Sequence, residues 1–215
     1  MARGIVFVDV DGTLVPGAAS SAVHIAHRLG HAAELLEAED LWDRGLIPGP
    51  DVERLDAIRW AGTSVAQVRT WLADLPLVDG IAETVAWCIE RDLRPVLATL
   101  AWHAVGDELC ERFGFLHASG ARVGRVDGVY TGEVELSIDE LGKLEYAVRT
   151  AKAAGVSMAD CVAIGDGRSD VPLFGAVGLA VGFNANAAAS AAAHRTVVGS
   201  DLRAVVPVIE EWLDR

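Results

Sequence analysis

The sequence predicts an α/β protein: a doubly wound, mostly parallel sheet with a small helical domain inserted after its first strand. Three short apolar runs, at residues 5–8, 96–98 and 161–164, are typical of strands buried on both faces. Helical patterns fill residues 21–75, between the first two runs, and no strand-like run interrupts them. Strands and helices alternate along the rest of the chain, as they do in doubly wound sheets.

The first apolar run leads directly into Asp9-Val10-Asp11-Gly12-Thr13. Open α/β sheets bind ligands in a crevice at the carboxyl ends of their strands, where these residues are expected to lie. A turn that begins after Asp9, which Gly12 permits, would aim both carboxylates at one ligand. For two aspartates alone, the alternative is a solvated acidic loop that closes the strand.

The chemistry that such a pair suggests requires further groups, and the chain contains them. An aspartate can attack phosphorus, and the phosphoryl charge then needs a cation such as Mg²⁺, which prefers oxygen ligands. Another carboxylate, a lysine and a hydroxyl are therefore expected nearby. Thr99 follows the second apolar run, Lys143 opens an amphipathic stretch, and Asp166 and Asp170 follow the third run.

Together, the DxDGT segment, Thr99, Lys143 and Gly165-Asp166-Gly167-Arg168-Ser169-Asp170 resemble the four motifs of the haloacid dehalogenase (HAD) superfamily. The likeness is strongest to the phosphoserine phosphatase-like branch and extends to residues 130–134 and 182–185. It implies a Rossmann-like HAD core with a helical cap, and an Mg²⁺-dependent phosphatase that forms an aspartyl-phosphate on a small phosphomonoester. A phosphotransferase or mutase, or a phosphoserine phosphatase proper, is the alternative. A binding protein without turnover is disfavoured, because it would not need a general acid.

The resemblance also implies a role for each motif residue. Asp9 corresponds to the nucleophile and Asp11 to the general acid and base. Thr99 corresponds to a phosphate-binding hydroxyl, and Lys143 to the cation that pairs with the phosphate and with Asp9, so both count as catalytic. The predicted substrate-binding residues are Thr99, Leu100, Lys143, Arg54 and Ser169. The predicted metal-site residues are Asp9, Asp11 (through its carbonyl), Asp166 and Asp170, the last of which holds waters or Lys143.

Departures from the branch bear on the substrate. The second motif reads Thr99-Leu100-Ala101-Trp102, where the branch has a serine and two glycines, so bulkier residues narrow the pocket. No acid for a substrate ammonium group follows DxDGT, because the positions hold Pro16, Gly17 and Ala18. Arg54 aligns only loosely with the arginine that binds the substrate carboxylate, and helix arginines are more often solvated. We therefore expect another phosphorylated molecule, such as a sugar-like or cyclic alcohol, to be preferred over phosphoserine, unless Glu53 replaces the acid.

The chain divides into a predicted catalytic core, residues 1–16 and 77–215, and a predicted cap, residues 17–76. Loop-like segments at residues 16–17 and 76–80 are candidate hinges on which the cap could close and exclude water. A helical layer that does not move is the alternative. Ser64 and Gln67 predict a capping box at a helix start. Asp127-Gly128, at the centre of residues 123–134, predicts a β-hairpin.

Composition narrows the partners and the compartment. The formal net charge of −13 argues against nucleic acid and against an anionic membrane surface. There is no uncharged apolar run of about 18 residues, and the first strand begins too early for a signal peptide. The three cysteines are expected to be buried, reduced thiols. We expect a cytoplasmic monomer or homodimer that acts on a small phosphorylated metabolite.

Two further sets of residues have alternative interpretations. His24, His27 and His31 share a helical face, but no acid or cysteine accompanies them in a zinc pattern, so a structural role is preferred. Trp42, Trp60 and Trp71 lie in the predicted cap. They could line a pocket for an apolar or cyclic leaving group, and core packing explains them equally well.

Overall fold

The computed structural model describes residues 2–17 and 20–215. Its strands are β1 (Gly4–Val8), β2 (Leu93–Leu97), β3 (Arg122–Val126), β4 (Val129–Leu136), β5 (Cys161–Gly165), β6 (Leu179–Phe183) and β7 (Arg195–Val197). Five strands form one parallel sheet in the order β2-β1-β5-β6-β7, and β3 and β4 form a separate antiparallel pair. The predicted α/β class with a parallel sheet is confirmed. Ala18 and Ala19, in the predicted loop after DxDGT, lie outside the described residues.

Helices cover both faces of the sheet, as a doubly wound fold requires. They are α1 (Ser21–Leu29), α2 (Ala32–Asp43), α3 (Gly49–Ala57), α4 (Val65–Leu72), α5 (Ile81–Glu90), α6 (His103–Phe113), α7 (Glu140–Ala154), α8 (Val171–Phe174), α9 (Ala187–Ala192) and α10 (Val206–Leu213). Alternate residues of β1 face opposite ways. Ile5 and Phe7 belong to the apolar cluster that includes residues of α7, α8 and α9. Val6 and Val8 belong to the cluster that includes residues of α5, α6 and α10.

Strand β2 begins earlier than the apolar run at residues 96–98 predicts, because Arg94 and Pro95 interrupt the pattern. Both residues nevertheless pair with β1. Proline is tolerated in a sheet where its missing N–H faces away from the ladder, and β2 is an edge strand of this sheet. The exposed Arg94 is compatible with the same edge position. The sequence pattern therefore missed the first part of β2.

Between β1 and β2 the described residues form the five α-helices α1 to α5, of which α1 to α4 lie in the predicted cap. The predicted capping box is present at the start of α4, where the Ser64 hydroxyl accepts from the Gln67 N–H and the Gln67 side chain accepts from the Ser64 N–H. Within the described ranges, no helix combines the length and apolar character that crossing a membrane requires.

The predicted hairpin is also present, and it contacts the inserted helices. Asp127 and Gly128 have positive φ angles of 50° and 78°, which a two-residue hairpin turn of this hand requires. The Gly62 N–H donates to the Tyr130 carbonyl at 3.0 Å, and the Tyr130 N–H donates to the Thr63 carbonyl at 2.9 Å. The hairpin, which chain order assigns to the core, is thus hydrogen-bonded to the segment between α3 and α4. The division into core and cap stays a prediction.

Candidate active site

The DxDGT segment leaves β1 in a tight turn at the carboxyl edge of the sheet. The Asp9 N–H still pairs with the Ile164 carbonyl of β5 at 2.9 Å, and then the Leu14 N–H turns back to the Val10 carbonyl at 2.8 Å. Gly12 has a φ of +83°, and a Cβ there would collide with the Asp166 carboxylate. Glycine is therefore required at this position for two reasons, backbone conformation and the approach of Asp166.

Lys143, near the start of α7, is fully buried between two carboxylates. Its Nζ lies 3.0 Å from Oδ1 of Asp9 and 2.6 Å from Oδ1 of Asp170. Burial alone would lower the pKa of Lys143, but the negative charges of Asp170 and Asp9 outweigh that effect and raise it. Lys143 is therefore a fixed positive charge beside Asp9.

Asp170 uses both of its oxygens within the protein. Oδ1 accepts from Lys143, and Oδ2 accepts from the backbone N–H groups of Asp166 and Gly167, each at 3.0 Å. A Cβ at Gly165 would collide with this carboxylate, so the close approach depends on glycine. The geometry favours the predicted role of Asp170 in holding Lys143 over direct metal ligation, and Asp170 also holds the Asp166 loop.

Asp9, Asp166 and Asp170 form a compact acidic cluster at the strand ends. One oxygen from each lies within 4.8 Å of the others. Burial, followed by the charge of Asp170, raises the pKa of Asp9 to about 8 even though Lys143 opposes the shift. The same two causes, in the same order, raise the pKa of Asp166 to about 7. Closely spaced acids that resist ionisation are well suited to hold a cation.

The carboxylate of Asp11 accepts two hydrogen bonds from the first residue of α1. The Ser21 N–H lies 2.6 Å from Oδ1, and the Ser21 hydroxyl lies 3.1 Å from Oδ2. Burial raises the pKa of Asp11, although both bonds from Ser21 act in the opposite direction. A raised pKa is what a proton donor requires.

Thr99 follows β2 in a loop that a neighbouring serine fixes. The Thr99 N–H donates to the Ser119 hydroxyl at 2.7 Å, and that hydroxyl donates to the Thr99 carbonyl at 2.8 Å. The Thr99 side-chain oxygen accepts from the Ala101 N–H at 3.1 Å. Ser119 thus positions the predicted phosphate-binding loop, and no local motif marked it in the sequence.

A cavity of about 400 Å³ opens between these strand ends and the inserted helices. The structure brings most of the predicted site residues to its wall, namely Asp9, Asp11, Thr99, Leu100, Asp166 and Ser169. Lys143 and Asp170 lie fully buried in contact with this group. Thr13, from the DxDGT segment, donates to Oδ1 of Asp166 at 3.1 Å and so orients that carboxylate.

Arg54 corrects the sequence-based interpretation of the substrate site. It is exposed on α3, pairs with Asp51, and is absent from the lining of this cavity among the described residues. The Arg54 side chain therefore faces solvent, which is the alternative that the sequence analysis gave for a helix arginine. In its place the inserted helices contribute acids to the cavity wall, namely Glu39, Asp43, Glu53 and Asp56. Of the three cap tryptophans, Trp42 lines the cavity, and Trp60 is fully buried.

The family model for haloacid dehalogenase-like hydrolases matches residues 6–175 of this chain. The chain therefore belongs to that family, in its phosphoserine phosphatase-like branch. It is 30% identical over 197 residues to the phosphoserine phosphatase of Streptomyces coelicolor, a match that covers 91% of this chain and 48% of the relative. It is also 30% identical over 200 residues to the phosphoserine phosphatase of Halobacterium salinarum, covering 92% and 93% of the two chains.

The chain spans about half the length of some of these relatives, 48% of the Streptomyces protein and 45% of the phosphoserine phosphatase of Mycobacterium tuberculosis. Solved structures share the fold along nearly the whole chain. A phospho-aspartyl intermediate analogue of phosphoserine phosphatase superposes with a TM-score of 0.84 at 23% identity, covering 97% of this chain and 99% of the other. A HAD family hydrolase of Salmonella enterica gives a TM-score of 0.88 at 18% identity, covering 98% and 72%.

Replacement of Asp170 tests the cluster without any assumption about substrate. Asp170→Asn should lower the free energy of unfolding by about 3–5 kcal/mol, because Lys143 loses a buried partner and an amide cannot accept at both ends. Urea denaturation measures the change. The matched control is Asp40→Asn, in the exposed Asp40–Arg44 pair, which should cost less than about 1 kcal/mol. Equal small losses in both variants would contradict the buried role of Asp170.

Proposed function

We propose that this protein is an Mg²⁺-dependent phosphatase that hydrolyses a small phosphomonoester through an aspartyl-phosphate on Asp9. The observation that carries the proposal is the contact of buried Lys143 with both Asp9 and Asp170, beside Asp166 at the base of one cavity. A binding site for a neutral ligand would not need an aspartate held at 3.0 Å from a buried lysine. Membership of the hydrolase family supports the same chemistry.

The proposed reaction has two steps, and Asp11 transfers one proton in each. In the first step, an Asp9 oxygen forms a bond to phosphorus, the bond from phosphorus to the leaving oxygen breaks, and Asp11 gives its proton to that oxygen. In the second step, water attacks phosphorus, the bond to Asp9 breaks, Asp11 takes the proton and inorganic phosphate leaves. The raised pKa of Asp11 supports the first transfer.

The groups proposed to bind the phosphate are the Thr99 hydroxyl, the Leu100 N–H, Lys143 and Ser169. A lysine ammonium has three N–H donors, and two of those of Lys143 face Asp9 and Asp170. We propose that the third donates to a phosphate oxygen. Ser169 lines the cavity from the loop after β5.

The proposed metal ligands are Asp9, the Asp11 carbonyl and Asp166. The donor set is made of hard oxygens, which Mg²⁺ prefers. Burial and repulsion by neighbouring acids raise the pKa values of Asp9 and Asp166. A bound cation would offset both effects, so the two acids are suited to bind one. Bound Mg²⁺ would neutralise charge on the phosphoryl group.

The charge of the cavity bears on the leaving group. Nine acids line the wall, and Arg168 is the only lysine or arginine that does so among the described residues. Arg168 pairs with Glu140 at 3.2 Å and stacks over Trp42, so its charge is already compensated. Burial raises the pKa of Glu39 to about 8 and also raises that of Glu53. A substrate carboxylate would meet only Arg168, which Glu140 already pairs, whereas an ammonium group would meet several carboxyl groups and a neutral alcohol would need no counter-charge.

This charge distribution revises one argument from the sequence. The missing acid after DxDGT suggested that a substrate ammonium group would be unpaired. Glu39 and Glu53 line the cavity, and a substrate ammonium group there would offset the burial that raises their pKa values, whereas Arg54 is not in the lining among the described residues. Phosphoserine, the substrate in the names of the relatives, remains disfavoured. The reason is now its carboxylate and no longer its ammonium group.

The remaining proposals concern water and compartment. Residues 17–76 are proposed as a cap that covers the site and excludes bulk water. Cys88, Cys110 and Cys161 are free thiols, which fits a reducing compartment, and we propose the cytoplasm.

Replacement of the nucleophile should abolish turnover. Asp9→Asn should reduce phosphate release by several orders of magnitude, because the covalent path is lost, while Lys143 keeps its bond to Asp170 and the fold persists. Phosphate release and circular dichroism are measured together. Asp40→Asn is the control and should keep wild-type activity. A folded Asp9→Asn protein with near-native activity would contradict the assignment of Asp9 as the nucleophile.

Removal of the metal should abolish activity and lower stability. EDTA should remove phosphatase activity, Mg²⁺ should restore it, and Ca²⁺ should inhibit, because its flexible coordination can draw both Asp9 oxygens to the metal. Mg²⁺ should also raise the Tm of the wild type but not that of Asp166→Asn. Full activity in excess chelator, or an equal rise in Tm for both proteins, would contradict the proposed ligands.

Phosphoserine should be a poor substrate compared with its analogue that lacks the carboxylate. O-phosphoethanolamine should exceed phosphoserine in kcat/KM by about tenfold or more, since one unpaired charge costs about 1.4 kcal/mol or more. Sugar-like and cyclic alcohol phosphates belong in the same panel. If phosphoserine gave the highest kcat/KM, the interpretation of the cavity charge would be wrong.

A further inference from the structure

A second buried polar network lies beside the cavity, and the proposed chemistry does not use it. Asp56, near the end of α3, is 1% exposed. Its Oδ1 lies 2.7 Å from His31 Nε2 and accepts from the Trp60 indole N–H at 3.2 Å. Its Oδ2 accepts from the Trp102 indole N–H at 2.5 Å. Three ring nitrogens therefore surround one buried carboxylate.

The three partners come from different parts of the chain. His31 and Trp60 belong to the segment inserted between β1 and β2, whereas Trp102 lies three residues after Thr99, in the loop before α6. The bond between Asp56 and Trp102 therefore joins the inserted helices to the loop proposed to bind phosphate. The rings of Trp60 and Trp102 also contact each other, with centroids 5.7 Å apart.

Two members of the network form part of the cavity wall. Asp56 and Trp102 both line the cavity, next to Leu100 and Ala101. A tryptophan turns about two side-chain bonds, and at this position a turn would move the whole indole into or out of the cavity. In the orientation that the structure shows, the indole N–H is bonded to Asp56 and the ring contacts Trp60. Trp60 itself belongs to the network but is absent from the cavity lining that the described residues form.

We propose that Asp56 is a positioning residue that holds the Trp102 indole as a fixed wall of the cavity and thereby sets which leaving groups fit beside the phosphate. The proposal rests on the proposed phosphatase function for its effect on specificity. Its structural part, that Asp56 orients the indole, stands independently of any substrate. His31 and Trp60 hold the carboxylate in place from the inserted side.

The first experiment compares two Trp→Phe variants that remove an indole N–H from the same carboxylate. Trp102→Phe should raise the ratio of kcat/KM for phenyl phosphate over O-phosphoethanolamine by about fivefold or more, because the smaller, untethered ring leaves more room for a bulky leaving group. The effect should appear mainly as a lower KM for phenyl phosphate. Trp60→Phe is the matched control: it keeps the bond between Trp102 and Asp56, so it should lose stability but change the ratio much less than Trp102→Phe does.

The second experiment measures the hydrogen bond directly, without activity. In the ¹⁵N-labelled protein, Trp102→Phe identifies the indole resonance of Trp102 among the six tryptophans. Hydrogen exchange of that N–H should be slow in the wild type. It should be at least about tenfold faster in Asp56→Asn, because the amide cannot accept from all three partners. If Asp56→Asn does not fold, the exchange rate of the Trp102 N–H in the wild type decides the matter: slow exchange supports the bond to Asp56, and fast exchange contradicts it.

The outcomes separate this proposal from the proposed function. Unchanged substrate ratios in Trp102→Phe, or equal changes in Trp60→Phe, would overturn the specificity role. Fast exchange of the Trp102 N–H in the wild type, or unchanged slow exchange in Asp56→Asn, would overturn the positioning role. If the wild type hydrolyses no phosphomonoester, the specificity role falls with the phosphatase proposal, and the exchange measurement still decides whether Asp56 orients the indole.

Discussion

The buried contact of Lys143 with Asp9 and Asp170 is the interaction on which the rest of the site depends. Three carboxylates meet at the edge of one sheet, and burial and repulsion by neighbouring acids raise the pKa of two of them, Asp9 and Asp166. A lysine with no exposed surface supplies opposing charge at 2.6 and 3.0 Å. Such a lysine would itself be too costly to bury without those acids. Each charge in this group is therefore tolerated only because the others are present.

The sheet topology explains why these groups can meet although they are far apart in the sequence. Strand β1 lies between β2 and β5, so the residues that follow all three strands emerge at one edge. Close approach then depends on small residues, because Gly12 and Gly165 leave the space that the carboxylates of Asp166 and Asp170 occupy. The order of the strands brings the acids to one edge of the sheet, and the two glycines leave the space in which their carboxylates approach each other.

Sequence reasoning succeeded where a short motif and the end of a strand coincide. Asp9, Thr99 and Asp166 could be located because parallel strands bring their carboxyl ends together whatever lies between them. Ser119 and Asp56 could not, because each acts through a residue about 20 or 46 positions away, and only tertiary packing makes that contact. Arg54 was misjudged because a helix position in a sequence does not say which side faces solvent. Pro95 hid the start of β2, since an edge strand tolerates it.

The backbone bonds between the hairpin and the segment after α3 have a mechanical consequence. The backbone of Tyr130 forms hydrogen bonds with Gly62 and Thr63, as neighbouring strands of a sheet do. Main-chain hydrogen bonds therefore connect the hairpin to the inserted helices. A rigid displacement of the helices would have to carry the hairpin with it. Four crossings of the chain, two at the ends of the insert and two at the base of the hairpin, would then bend in concert. A body attached at four points has fewer axes of rotation than one attached at two, so its path over the cavity would be narrowly defined.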